Sequence, residues 1–283
     1  MKIFYSPKCL GYAQPGHPES PVRASATYEY LEQKGYVFSE PHPCHEADIL
    51  LAHTRELVES VQKGTFLDFD TPVFSGIYEI AILSAGAAAD AAMHCLTSGE
   101  KAFSLMRPPG HHAASNSLGG FCYFNNIVIA CMKAREKAGK VAIVDFDCHH
   151  GNGTEDIVLG DHNFIYISLH QSPLYPGTGL RSRDNCVNYP LGADTRPEQY
   201  LSIFEEGLSK VTEYNPDLLA VSAGFDSYKR DPITSFSLEL ETYGEIGRML
   251  YRLQKPTFAV LEGGYSRDLP ECVHQFLKGL EGE

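Results

Sequence analysis

Short continuous apolar runs recur along the chain, each closed by a turn signal. They cover Lys2–Tyr5, Ala102–Leu105, Val141–Asp145, Phe164–Leu169, Leu218–Ser222 and Thr257–Leu261. Runs this short, bounded by glycine, proline or polar clusters, predict buried strands. Between them apolar positions return at helical spacing over Val22–Gln33, Thr54–Lys63, Ile77–Leu96, Asn125–Lys137, Pro197–Val211 and Leu238–Leu253. Pro197, shortly after Thr195, reads as a helix start, because proline is tolerated in a first turn. Strands that are apolar throughout and alternate with helices imply a parallel sheet covered on both faces. With no internal repeat, low-complexity linker or composition shift, the expectation is one α/β domain over residues 1–283.

In open parallel sheets, ligands bind just beyond the carboxyl ends of the strands. After Leu105 comes MRPPGHHA, after Val144 DFDCHHGNG, after Leu169 HQSPLYPGTG, after Ser222 AGFDS and after Leu261 EGGYS. Histidines, aspartates, glycines and a tyrosine collect at one rim, which packing alone does not explain.

Composition narrows the classes. Asp and Glu total 36 against 23 for Lys and Arg, a formal charge of −13. Such a chain is a poor candidate for gripping nucleic acid through phosphates; it mildly favours cationic substrates, although acidity also serves solubility. The eight cysteines form no CxxC pair, and MKIFYSPKCLGY lacks a signal-like apolar stretch, so reduced thiols in a cytoplasmic protein are expected. The alanine-rich stretch Ile77–Cys95 comes nearest the roughly 20 apolar residues of a membrane span, but Glu79 and Asp90 interrupt it. It reads as a buried helix, and no membrane partner is expected.

Asp147 and His149 are separated by one residue. At a strand end, positions i and i+2 point to the same side, so carboxylate and imidazole converge on one cation. A catalytic zinc site takes three protein ligands and keeps one position open. Asp226, at another strand end, is the best third ligand; alone it would read equally as a turn or helix cap. This oxygen-rich set suits zinc first and also iron(II) or cobalt(II). His111 and His112 suggest a general base and its electrostatic partner, with Asp145 and Asn152 available to orient them. Tyr265, behind two glycines, is placed to donate to a developing oxyanion, the alternative being a core tyrosine. The combined logic is metal-assisted hydrolysis.

With these residues the chain resembles the histone deacetylase superfamily, including the bacterial acetylpolyamine amidohydrolases. The matching stretches are GHPESPVR (16–23), RPPGHHA (107–113), GGFCYFNN (119–126), DFDCHHGNGTED (145–156), ISLHQSPLYPGTG (167–179), SAGFDS (222–227) and LEGGY (261–265). They stand in family order over nearly the whole chain. The resemblance implies an arginase-like three-layer α/β/α fold around a mainly parallel sheet of about eight strands. It implies zinc ligands Asp147, His149 and Asp226, a histidine pair His111–His112 with His112 as base, Asp145 orienting His111, and Tyr265 polarising the carbonyl. Many relatives carry aspartate where this chain has Asn152, which leaves His112 less basic.

The resemblance further implies an acyl-lysine tunnel at Gly120, Phe121 and Tyr175, walled by the two aromatics. Asp70 matches a rim aspartate that grips peptide backbone; the alternative is a helix cap before Pro72. A structural K⁺ or Na⁺ would sit on backbone carbonyls of Asp145, Asp147, His149 and Leu169 with the side chains of Asp145 and Ser168. Polyamine-selective eukaryotic members carry glutamate where this chain has Ile233, which argues against glutamate-based recognition of a polyamine. The expected activity is removal of acetyl or other small acyl groups from acyl-lysine peptides or related amines. A dedicated acetylpolyamine amidohydrolase is the alternative, followed by a catalytically silent acyl-binding module. Arginase-like chemistry would need further paired aspartates near Asp226, where Ser227 and Tyr228 stand instead. Oligomeric state is left open.

Overall fold

The computed structural model describes residues 1–283. Eight strands are present: β1 (Lys2–Phe4), β2 (Phe38–Ser39), β3 (Ala102–Ser104), β4 (Val141–Asp145), β5 (Phe164–Gln171), β6 (Cys186–Leu191), β7 (Leu218–Ala223) and β8 (Thr257–Leu261). They form one sheet in the order β2-β1-β3-β8-β7-β4-β5-β6. Every pairing is parallel. The helices are α1 (Pro21–Gln33), α2 (Glu46–Ile49), α3 (Arg55–Lys63), α4 (Ile77–Ser98) and α5 (Asn126–Ala134), then α6 (Asn152–Val158), α7 (Pro197–Tyr214), α8 (Leu240–Arg252) and α9 (Leu269–Leu280).

The central strands are buried at every position, as continuous apolar runs require of a sheet covered on both faces. The helices pack in two chains of neighbours, α1–α9–α8–α7 and α4–α5–α6. The α/β/α expectation is borne out, with all strands parallel. Local signals behave as their chemistry dictates. Thr54 caps α3 by accepting the Leu57 N–H, and Pro197 opens α7. The apolar helix α4 is mostly buried against α5 and the sheet. Its Gly86 touches the His42 carbonyl so closely that a Cβ there would lie 1.8 Å from that oxygen.

Five elements were not anticipated, the first of them α2, whose four residues are too few to show a helical period. Strand β2 has only two residues, too few to show a period. Strand β6 contains Pro190, which disfavours strand readings except at an edge, where β6 lies. Helix α6 starts inside the aspartate–histidine loop, and α9 carries Pro270 in its first turn.

Candidate active site

Strand order decides which loops meet. β3, β8, β7 and β4 are consecutive in the sheet, so the segments leaving their carboxyl ends are spatial neighbours. These supply His111 and His112, Glu262–Tyr265, Asp226, and Asp147 with His149, respectively. The chain leaves β4 to build β5 and β6 on one side and returns with β7 and β8 on the other, a switch in direction of the kind that opens a crevice in such sheets.

Asp147, His149 and Asp226 are buried and bring one donor atom each to within 4.8 Å of the others. Asp147 Oδ2 accepts the Gly263 N–H at 2.7 Å, and its Oδ1 accepts the His149 N–H at 2.9 Å. Asp226 Oδ1 accepts the Cys148 N–H at 2.8 Å. Asp226 Oδ2 is buried with no hydrogen bond, although it lies 2.8 Å from His149 Nδ1. The two atoms are close without facing each other as donor and acceptor. Glycines make the room: a Cβ at Gly263 would lie 2.6 Å from both Asp147 Oδ2 and Asp226 Oδ2, and one at Gly224 only 2.1 Å from Asp147 Oδ2.

The electrostatics of this triad call for a cation. Burial and the neighbouring Asp147 push the Asp226 carboxyl up to about 7. Burial opposes ionisation of Asp147 too, yet His111 and His149 hold it well below the carboxylate range. Against its own burial, His149 is driven up to about 10 by Asp226 and Asp147. The imidazole thus takes a proton to serve as counter-charge for two buried carboxylates, a charge that a divalent ion would supply instead. Two carboxylates and one imidazole suit zinc, iron(II) or cobalt(II), so the residues present fit a divalent metal.

The two adjacent histidines have opposite environments. His111 Nδ1 donates to Asp145 Oδ2 at 3.0 Å, and its Nε2 lies 3.7 Å from Asp147 Oδ1. Burial disfavours its charge, but Asp145, Asp147 and Glu262 outweigh that and raise its pKa well above the ordinary value. His112 Nδ1 is 2.8 Å from Asn152 Oδ1. An amide oxygen only accepts, so Nδ1 carries the hydrogen and Nε2 keeps its lone pair. Burial, with positive His111 and His149 nearby, holds His112 well below the ordinary imidazole range. The two adjacent imidazoles are thus biased in opposite directions, His111 toward its charged form and His112 toward its neutral one.

A cavity of about 310 Å³ descends to this floor. His111, His112, Asp147, His149, Gly263 and Tyr265 line its depth; Phe121, Leu174, Tyr175 and Ile233 line its sides; and Asp70 and Gly120 also border it. Gly120 has φ +57° and lies against His112, where a Cβ would approach the ring to 2.3 Å, so this position demands glycine. The Tyr175 ring meets His112 edge-on at 5.1 Å, and Phe121 meets Tyr265 at 6.0 Å. No helix starts at Asp70; the next, α4, begins at Ile77. The capping alternative is therefore wrong. Asp70 Oδ1 instead accepts the Gly120 N–H at 3.1 Å and the Thr71 hydroxyl at 3.2 Å. Burial and Asp68 push the Asp70 carboxyl up.

Asp145 and Ser168 are in register on β4 and β5, and both are buried, as are Asp147, His149 and Leu169. The Asp145 carboxylate also accepts the Tyr166 hydroxyl at 2.9 Å and the Asp147 N–H at 3.1 Å. Burial pushes His170 down to about 3, so it is neutral. Its Nε2 donates to Gly179 O at 3.1 Å, and its Nδ1 accepts from Ser168 Oγ at 2.9 Å.

Sequence reasoning gave no role to a buried network beneath Tyr265. Arg107 is fully buried, binds Glu19 through Nε at 2.6 Å and Nη2 at 2.7 Å, and lies over the Tyr12 ring. Glu19 also accepts from Arg23 Nη1 at 3.0 Å, and Arg23 Nε donates to Gly264 O at 2.6 Å. Glu262 accepts the Gly110 N–H at 2.7 Å and the Ser222 hydroxyl at 3.0 Å; burial pushes its carboxyl up to about 7. The signal was available: Glu19, Arg23 and Arg107 lie inside the motif stretches, where charges beside apolar runs imply buried partners.

The histone deacetylase domain family matches residues 17–280. A probable deacetylase of Archaeoglobus fulgidus is 38% identical over 290 residues, covering 93% of this chain and 80% of that protein. Acetylpolyamine amidohydrolase 1 of Pseudomonas aeruginosa is 36% identical over 231 residues, covering 77% of this chain and 67% of that one. The crystal structure of the HDA15 HD domain superposes with a TM-score of 0.94 at 31% identity, covering all of this chain and 91% of that one. The chain belongs to the histone deacetylase family. It is a hydrolytic enzyme of the deacetylase class.

Proposed function

We propose that this chain, acting as one catalytic unit, hydrolyses the amide of small-acyl, above all acetyl, derivatives of lysine side chains and related amines. The observation that carries the reading is one cavity lined by Asp147, His149 and His112 between aromatic and aliphatic walls, with Asp226 buried against His149 and completing the set of three donor atoms. Such walls suit an uncharged acetamide on an aliphatic stem. Asp147, His149 and Asp226 would hold a divalent ion, zinc first. When bound, that ion supplies Lewis-acid polarisation of the carbonyl and acidifies the attacking water. His112 Nε2 takes the proton of that water and returns it to the amine nitrogen as the C–N bond breaks, and Asn152 fixes the tautomer that makes this possible. His111, charged and held by Asp145, stabilises developing negative charge. Tyr265 donates its phenolic hydrogen to the oxyanion, and burial keeps that phenol protonated by raising its pKa far above neutrality. A monovalent ion beside Asp145, Asp147, His149, Ser168 and Leu169 would stiffen the loop from below.

A second reading, a dedicated acetylpolyamine amidohydrolase, is favoured by Asp70, which borders the cavity, and by Asp68 beside it, whose Oδ1 accepts the Asp70 N–H at 3.1 Å. These two carboxylates would attract a cationic tail, whereas Asp70 gripping peptide amides would favour acyl-lysine peptides. The deciding measurement is kcat/KM of the zinc-loaded protein on matched acetyl-lysine peptides and acetylated spermidine or putrescine, with a metal-free control. The leading reading expects comparable values or a peptide preference. A hundredfold polyamine preference would establish the second reading, and inactivity on both would reject the small-acyl assignment.

A further inference from the structure

Beyond Asp226 the chain loops past the cavity before entering α8. Asp231 lies in that loop, only 8% exposed, with its own N–H donated to Tyr228 O. Its carboxylate accepts two backbone N–H groups from two different loops. Oδ1 takes the Ile233 N–H at 3.0 Å, and Oδ2 takes the Tyr265 N–H at 2.7 Å. Both of these residues line the cavity.

Ionised buried carboxylates are costly, and burial pushes Asp231 up to about 6, with Arg23 the cation that favours its charge. A neutral asparagine or serine closes a turn without that cost. What the carboxylate adds is two acceptors in one rigid plane, forming stronger bonds than neutral groups do. The segment it grips needs such a restraint. Gly263 and Gly264 precede Tyr265, and Gly264 has φ +117°, so this stretch has little intrinsic stiffness. Asp147 holds the Gly263 N–H and Arg23 holds the Gly264 carbonyl. Asp231 completes the series at Tyr265 itself.

We propose that Asp231 is a positioning residue that locks the Tyr265 backbone, and with it the phenol, in register with the loop carrying Ile233. This rests on Tyr265 acting as the oxyanion donor. Asp231→Asn keeps the shape and one acceptor but presents an amide N–H₂ to the other backbone N–H. Asp231→Ala removes both acceptors.

The test measures kcat and KM of the zinc-loaded chain of residues 1–283 on one acetyl-lysine peptide. It compares wild type, Asp231→Asn, Asp231→Ala, Tyr265→Phe and the Asp231→Asn/Tyr265→Phe double variant, with zinc content and Tm for each. Asp231→Asn is expected to lower kcat about ten- to a hundredfold, the scale of a small misplacement of a reacting group. KM should stay within about twofold, zinc content should not change, and Asp231→Asn should cost almost nothing further once Tyr265 is phenylalanine. If Asp231→Ala does not fold, Asp231→Asn carries the test alone. Equal losses on both backgrounds would overturn the proposal, as would a raised KM with unchanged kcat, which would leave Asp231 holding only the rim. Tyr265→Phe at the wild-type rate would instead remove the phenol from the reaction, and the failure would then belong to the functional reading.

Discussion

Asn152 sets the character of His112. The amide oxygen holds Nδ1–H at 2.8 Å without adding a negative charge, so burial and the charged histidines around His112 keep its pKa low. An aspartate in its place would put a carboxylate on the same hydrogen and favour the imidazolium. A base must be unprotonated to act, so a higher pKa removes activity from the acid side. Asn152→Asp is expected to move the acid limb of kcat/KM upward by about one unit or more. On the acid limb the variant should be relatively weaker than the wild type, and above that limb the two should converge. A pH–rate profile with an unmoved acid limb would show that His112 is not the titrating base. The residues that the structure gathers around the cavity floor were legible because their segments follow the ends of β3, β4, β7 and β8 in the sequence. Asp231 was not, because its meaning lies in two backbone N–H groups, one of them 34 positions away.

At the scale of elements, legibility followed length and burial. The long buried strands β4, β7 and β8 read directly, since runs without a polar break fit only a sheet covered on both faces. Strand β2 is too short for a period, and Pro190 hid β6 until the sheet placed it at an edge. Helix α6 was masked because its first residues also belong to the aspartate–histidine loop. Composition alone also concealed why α4 is so rich in small residues. Gly86 admits the backbone between His42 and Cys44, where Cys44 N donates to Ile82 O at 2.9 Å. Gly86→Ala gains helix propensity of about 1 kcal/mol but drives a methyl into backbone that cannot rotate aside. Overpacking costs of about 1–3 kcal/mol should win, so net destabilisation is expected. Urea unfolding tests this; a midpoint raised above the wild-type value would show that the loop at His42 yields freely.

For the whole molecule, the most direct pH signal comes from a histidine away from the triad. His53 joins three segments: it precedes α3, its Nδ1 donates to Ala114 O at 2.9 Å, and its Nε2 accepts the Asn125 N–H at 2.8 Å. Burial lowers its pKa from 6.5 to about 4, and protonating Nε2 would also cancel the Asn125 bond at the start of α5. The unfolded chain therefore binds this proton first as the pH falls. Stability is fully present above about pH 6.5 and declines through the window down to about 4, where the folded form also protonates. A difference of 6.5 − 4, or about 2.5 units, at 1.36 kcal/mol per unit corresponds to about 3 kcal/mol lost across that window. His170, also neutral in the fold, acts in the same direction. His53→Gln retains one donor and one acceptor without a titrating ring, so it should be less stable at pH 8 but lose stability more slowly between pH 6.5 and 4. Denaturant unfolding of both proteins at half-unit pH steps measures the two slopes. Parallel slopes would mean that His53 is already charged in the fold, and the acid sensitivity would then belong to other groups.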